Sequence, residues 1–238
     1  MTESIKRIHV VINPAAGKDE PILNTINDVF HQHDIDWGVS VTRKYGDATE
    51  FARQAAAEGF DIVAGYGGDG TQHEIANGII GTDALMGVLP GGTGNGFANE
   101  MGTPDKLRPA LELLCTNNRV RHVDVVQMED GYFIQRLYVG IEPEQQTSRE
   151  SKDKYGTFAY AIDSYHRVRD VKEVNYQVSI DGESFEFMAA KIYVVNAARA
   201  GTGISITGNI SKVDDGLVDV FLLSGKDLRT LSGAVDRV

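Results

Sequence analysis

Three short stretches of this sequence combine small, flexible residues with side chains rich in oxygen and amide groups. They are Asn13-Pro14-Ala15-Ala16-Gly17-Lys18, Gly65-Tyr66-Gly67-Gly68-Asp69-Gly70-Thr71 and Pro90-Gly91-Gly92-Thr93-Gly94-Asn95-Gly96. Glycine lets backbone amides approach an anion with no Cβ in the way, and a following helix N-terminus adds partial positive charge. The chemistry such loops suit is phosphate binding. Asp69 is the odd member, because a carboxylate inside a phosphate loop repels the ligand unless a cation bridges them or a hydroxyl donates to it. Both uses belong to phosphoryl transfer, which needs Mg²⁺ and a base near the acceptor hydroxyl. The plain structural alternative is that Asp69 caps a helix beginning at Thr71.

The elements around these loops form an alternating series. Ile8 to Ile12 is an apolar run with a β-branched bias, the pattern of a strand buried on both faces. A helix is expected next, with Pro21 in its first turn and Ile22, Leu23, Ile26, Val29 and Phe30 on one face. Val39 to Thr42 reads as a strand, and Asp47 as the start of a helix with Glu50 completing a capping box. Ile62 to Ala64 and Met86 to Leu89 are further strands, and Thr71 to Ile80 is a helix. Thr103-Pro104 is expected to open another helix as cap and first residue. Residues 1–120 are therefore read as an α/β domain with a parallel sheet, its glycine loops at the C-terminal ends of the strands.

Residues 121–238 change rhythm. Val120 to Met128, Tyr132 to Val139, Val174 to Ile180, Phe185 to Val195 and Leu217 to Leu223 read as strands, with one helix around Phe158 to Tyr165. Asp130-Gly131 and Asp181-Gly182 sit where hairpin turns are needed. This part should be mainly antiparallel β, a sandwich or open barrel.

Several function classes are excluded. Gly65 to Gly70 spells G-x-G-x-x-G, but a dinucleotide fingerprint belongs in the first βα unit with an acid about 20 residues on. Here that stretch is Leu89-Pro90-Gly91, with no acid. No Walker-type G-x-x-x-x-G-K-[S/T] occurs. A formal charge of −11 disfavours nucleic acid and general adsorption to an anionic membrane, despite local basic spots at Arg119, Arg121 and His122 and at Arg167, Arg169 and Lys172. No apolar run approaches the roughly 18 residues a membrane span requires, and Met1 to Lys6 lack a signal-peptide core. The single cysteine, Cys115, lies in an apolar run and reads as core filler in a reducing, cytoplasmic setting.

Gly67 to Thr71, then Glu74-Ile75-Ala76-Asn77-Gly78, then Pro90 to Asn95 resembles the catalytic domain of diacylglycerol kinases and their bacterial relatives. The first block with His73-Glu74 is also similar to sphingosine and ceramide kinases. Asn13 to Gly17 resembles the family's opening loop, and Thr42 falls where a nucleotide-contacting threonine is expected. Gly140-Ile141-Glu142, Tyr155-Gly156 through Tyr160, Asn196 and Asp215-Gly216-Leu217-Val218-Asp219 follow in family order, so the resemblance spans nearly the whole chain. Gly-Gly-Asp-Gly-Thr alone is shared with NAD kinases and phosphofructokinases.

The resemblance implies an ATP-dependent lipid kinase acting on diacylglycerol or a sphingoid base, with ATP and Mg²⁺ as cofactors and the inner membrane face as its place of work. ATP is expected over Asn13, Pro14, Ala15, Ala16, Gly17, Thr42, Gly67, Gly68, Asp69, Gly70, Thr71, Glu74, Gly92, Thr93 and Asn95. Mg²⁺ is expected at the Asp215 carboxylate with backbone oxygens of Leu217 and Lys212, where residue spacing alone indicates only a turn entering a strand. Two departures stand out. Gly96 occupies a position where many relatives have Asp. Bacterial relatives also carry a late Asp-Gly-Glu whose acid is thought to be the general base, whereas this chain ends at Val238, in what reads as a helix beginning near Asp227. Asp181-Gly182-Glu183 precedes the Asp215 segment and corresponds to an earlier hairpin. The expectation is a chain truncated at its C-terminal end, or one in which Asp69 serves as base. An NAD kinase-like enzyme and a non-catalytic nucleotide- or lipid-binding module are the alternatives.

Overall fold

The computed structural model describes residues 7–16, 20–116, 119–140, 173–197 and 212–223. They fall into two compact units, the chain passing from the first to the second between Ile134 and Gln135. In the first unit, strands β1 (Arg7–Ile12), β2 (Asp36–Val41), β3 (Ile62–Gly67) and β4 (Leu85–Pro90) alternate with helices α1 (Ile22–Gln32), α2 (Asp47–Ala57) and α3 (Asp69–Ile79). Helices α4 (Gly96–Met101) and α5 (Leu107–Thr116) and the hairpin β5 (Val126–Met128) and β6 (Gly131–Phe133) complete it.

The strands form one parallel sheet in the order β2-β1-β3-β4. Successive side chains of a strand face opposite sides, and both sides are filled. Ile8, Val10 and Ile12 pack with Ile26, Val29 and Phe30 of α1 and with Leu107, Ala110 and Leu111 of α5. Val11 and Val63 face Ala48, Ala52 and Ala55 of α2 and Ile75 and Ile79 of α3. The α2–α3 contact is close because both partners are small. A Cβ on Gly78 would lie 2.5 Å from the Thr49 carbonyl oxygen and 2.6 Å from the Ala52 Cβ. Cys115 packs against the first cluster, and burial, with Glu112 nearby, pushes its thiol up to about 11. It behaves as the filler its surroundings indicated.

Several local expectations are corrected. Pro21 is the residue before α1 rather than part of its first turn, and Leu23, at the margin of the apolar face, is half exposed. No capping box forms at α2. Its cap is Gly46 in the left-handed region (φ 91°), so Asp47 is already helical and its carboxylate turns back to the amides of Arg43 and Lys44. Those amides, with the neighbouring positive charges, hold Asp47 below the usual carboxylate range. Glu50 pairs with Arg53.

Helix α5 begins at Leu107, not Pro104, for a covalent reason. Pro109 lacks an N–H and its ring clashes with the carbonyl four residues back in a helix interior, but it is tolerated in the first turn. Starting at Leu107 puts it there. Residues 120–125 are not strand, and the long strands expected at Tyr132–Val139 and Phe185–Val195 are each broken where the pairing partner changes.

In the second unit, β7 (Arg136–Gly140), β10 (Lys191–Val195) and β11 (Asp219–Leu223) form an antiparallel sheet in the order β11-β10-β7. Strands β8 (Val174–Ile180) and β9 (Glu183–Ala189) form a hairpin. Asp181 (φ 51°) and Gly182 (φ 86°) make its two-residue turn, both left-handed as the strand twist requires. The mainly antiparallel character read from the sequence holds for these strands. The helix expected at Phe158–Tyr165, the Tyr155–Tyr160 segment and the helix from Asp227 lie outside the described residues. Among the described residues no helix is long and apolar enough to cross a membrane.

Candidate nucleotide site at the glycine loops

Because the sheet is parallel, the three glycine loops leave β1, β3 and β4 at the same edge. Strand β3 ties them together. The Asn13 amide donates to the Tyr66 carbonyl (2.9 Å), and the Gly91 amide donates to the Gly67 carbonyl (3.1 Å). Thr42 joins from β2: its side chain is buried and its amide donates to the Ile12 carbonyl. The second and third loops touch backbone to backbone, since a Cβ on Gly92 would lie 2.6 Å from Gly68 Cα. Thr71 sits under Gly67, where a Cβ would come 2.4 Å from its Oγ1. These glycines are needed for the loops to meet. Gly70 differs: it is exposed, and an added Cβ would meet nothing within 4 Å.

Side chains then fix each loop. The Asn13 side-chain amide donates to Thr71 Oγ1 (3.1 Å), while its Oδ1 accepts from the Ala15 amide and closes the 3₁₀ turn Pro14–Ala16. Gly17 lies outside the described residues. Asn95, buried and left-handed (φ 50°), brackets Gly92 by accepting from its amide (2.8 Å) and donating to its carbonyl (2.7 Å). Thr93, between them, is exposed.

The two acids are placed by distant parts of the chain. Gly68, not Asp69, is the residue before α3, so Asp69 is not that helix's cap. Its carboxylate instead accepts from the amides of Phe97 (2.9 Å) and Gly96 (3.2 Å) at the start of α4. Glu74 does the same for α2, accepting from Gly46 (2.8 Å) and Ala48 (3.2 Å). Helix N-termini attract negative charge and leave amides unsatisfied, so each acid satisfies a helix other than its own.

Sequence reasoning missed two positioning groups. The Asn77 side chain donates to the Tyr132 carbonyl and accepts from the Tyr132 amide, both at 2.9 Å, and so clamps hairpin β5–β6 to α3. The hairpin, α2 and α3 border an open cleft of about 340 Å³, whose lining includes Tyr45, Thr49, Arg53, His73, Glu74, Asn77 and Tyr132. Tyr66 is buried under the loops, its hydroxyl donating to Glu20 (2.6 Å). Both stand in motifs quoted above, but their positioning roles are legible only through partners remote in sequence.

The residues expected to hold a metal, Lys212, Asp215 and Leu217, lie in the second unit on one exposed turn before β11. Asp215 Oδ1 accepts from the Leu217 amide (3.1 Å), and Gly216 is left-handed (φ 70°). Among the described residues no three acidic, histidine or cysteine side chains gather as a metal-binding group.

With this geometry in hand, likeness to known proteins is informative. Residues 7–128 match the diacylglycerol kinase catalytic domain, and residues 136–238 match the YegS C-terminal NAD kinase beta sandwich-like domain. A diacylglycerol kinase of Staphylococcus saprophyticus is 27% identical over 233 residues, covering 95% of this chain and 75% of the relative. One from Staphylococcus aureus is 27% identical over 232 residues, covering 95% and 73%. A solved diacylglycerol kinase structure from Bacillus anthracis superposes with a TM-score of 0.78 at 26% identity, over 98% of this chain and 77% of that one. A second Bacillus anthracis structure gives 0.82 at 25% identity, over 98% and 78%. The match over the sheet, its helices and all three loops makes this chain a member of the diacylglycerol kinase catalytic-domain family.

Proposed function

We propose that this chain transfers the γ-phosphate of ATP to the hydroxyl of a lipid, either diacylglycerol or a sphingoid base. The carrying observation is that three glycine loops meet at one sheet edge, the first bonded to the second through Asn13 and Thr71 and the third held in shape by Asn95. The open backbone at Gly70 and the exposed Thr93 offer amide and hydroxyl donors to phosphate oxygens. The cleft beside Tyr45, His73 and Glu74 would receive the rest of the nucleotide.

In this reading Asp69 takes the proton of the acceptor hydroxyl. A carboxylate offers about four acceptor positions, and the amides of Gly96 and Phe97 fix its orientation. Mg²⁺, when bound, neutralises charge building on the phosphates. The turn at Lys212, Asp215 and Leu217 would offer that hard cation a carboxylate and backbone oxygens. The α/β half (residues 1–120) would hold ATP. The β-rich half (residues 121–238) would meet the acceptor at a membrane surface.

Calorimetric titration with ATP and Mg²⁺ tests the nucleotide site. Saturable binding that Asp69→Ala greatly weakens supports it. An unmodified protein that binds no ATP refutes it.

A further inference from the structure

We propose that Tyr66 is a positioning residue for the ATP site, its backbone holding Asn13 where the first glycine loop begins and its hydroxyl holding Glu20 ahead of α1. The inference rests on reading the three loops as that site. Tyr66 is 1% exposed and lies next to last in β3, directly before the Gly67-Gly68-Asp69-Gly70 run. Its backbone carbonyl accepts from the Asn13 amide (2.9 Å), where the first loop begins. Its hydroxyl donates to Glu20 (2.6 Å), where the chain leaves that loop toward α1. One residue therefore holds both Asn13 and Glu20, and the two contacts flank the first loop. Its ring also supports the third loop, since a Cβ on Gly91 would come 2.9 Å from ring atom Cε1.

The bond has a second consequence. A carboxylate near a phosphate loop opposes the anion. Donation from a buried hydroxyl draws the Glu20 carboxylate toward the interior instead. Burial, and then Glu20 itself, push the Tyr66 phenol well above its ordinary range, so it remains a donor throughout the working pH range. Phenylalanine would fill the same volume and retain every contact except the one to Glu20, which isolates the hydroxyl experimentally.

The test compares the full chain with Tyr66→Phe, Glu20→Ala, Glu20→Gln and the double variant Tyr66→Phe/Glu20→Ala. The readouts are the Kd for ATP with Mg²⁺, KM for ATP, kcat and the thermal midpoint. Tyr66→Phe and Glu20→Ala should each weaken ATP binding about tenfold, the scale of one lost hydrogen bond to a charged group, and raise KM while leaving kcat within about twofold. Glu20→Gln keeps an acceptor and should bind nearly as the parent does. The double variant should be no worse than either single one, because both remove the same bond. A Tyr66→Phe protein that binds ATP as tightly as the parent overturns the positioning role while leaving the nucleotide site standing. So do single effects that multiply in the double variant. A parent that binds no ATP overturns both. Should Tyr66→Phe fail to fold, Glu20→Ala against Glu20→Gln carries the same comparison.

Discussion

Asp69 shows how far a single residue can be read from its neighbours in sequence. Its type and its place among glycines indicated phosphoryl-transfer chemistry. Its partners, the amides of Gly96 and Phe97, lie 27 and 28 positions away, and no local pattern announces them. The pairing makes a specific prediction. Asp69→Ala leaves the α4 amides unsatisfied and should cost about 1–2 kcal/mol of stability, measured by urea unfolding, and should abolish phosphate transfer. Asp69→Asn keeps an acceptor oxygen, so it should recover much of the stability without recovering turnover. A variant stable yet fully active would remove Asp69 from the chemistry.

His9 gives a second prediction at this scale. Its ring bonds Ser40 through Nε2 and packs edge-on to Phe60, and burial lowers its pKa below the ordinary value of 6.5. Because the folded-state value is depressed, the unfolded chain takes up the proton first. The associated stability is therefore complete above about pH 6.5 and is lost as pH falls below it. Urea midpoints should drop between pH 7.5 and 5.5, and His9→Gln should flatten that dependence. A parent with no loss of stability over that interval contradicts the argument.

The elements were legible wherever hydrophobic periodicity alone decides them. β1, β3 and β4, and the buried face of α1, follow from runs of Ile, Val and Leu whose packing the sheet then satisfies. Errors came where a competing local effect was overlooked. Pro109 moved the start of α5, and a left-handed Gly46 displaced the capping box at α2. The long β runs were split because their two ends pair with different strands, a tertiary fact invisible to a pattern of period two.

The glycine loops permit a contrast at the same scale. Gly92→Ala would drive a Cβ to 2.6 Å from Gly68 Cα, and backbone there cannot yield cheaply. It should lower both the thermal midpoint and ATP affinity. Gly70→Ala meets no protein atom, so its thermal midpoint should stay near the parent's while ATP binding falls about tenfold or more, the scale of a steric clash with bound phosphate. Equal ATP affinity for Gly70→Ala and the parent would argue that the phosphates do not lie against this segment.

At the level of the whole molecule, length and rhythm indicated an α/β part followed by a β-rich part, and the two observed units carry those characters. The resemblance that rested on Gly-Gly-Asp-Gly-Thr, the Glu74 to Gly78 block and the third loop is matched by family membership over residues 7–128. A net charge of −11 fits the proposed nucleotide site, which would hold phosphate by backbone amides at one edge rather than by a basic surface. The acceptor was less legible, because an apolar lipid is bound by interchangeable aliphatic side chains that leave no motif.

The most direct test is transfer of label from γ-³²P-ATP in the presence of Mg²⁺, with diacylglycerol or a sphingoid base in mixed micelles and NAD as a competing soluble acceptor. The account predicts label in the lipid extract, none in NAD, and loss of lipid labelling in Asp69→Asn. A protein that binds ATP yet labels NAD, or labels no lipid at all, would contradict it.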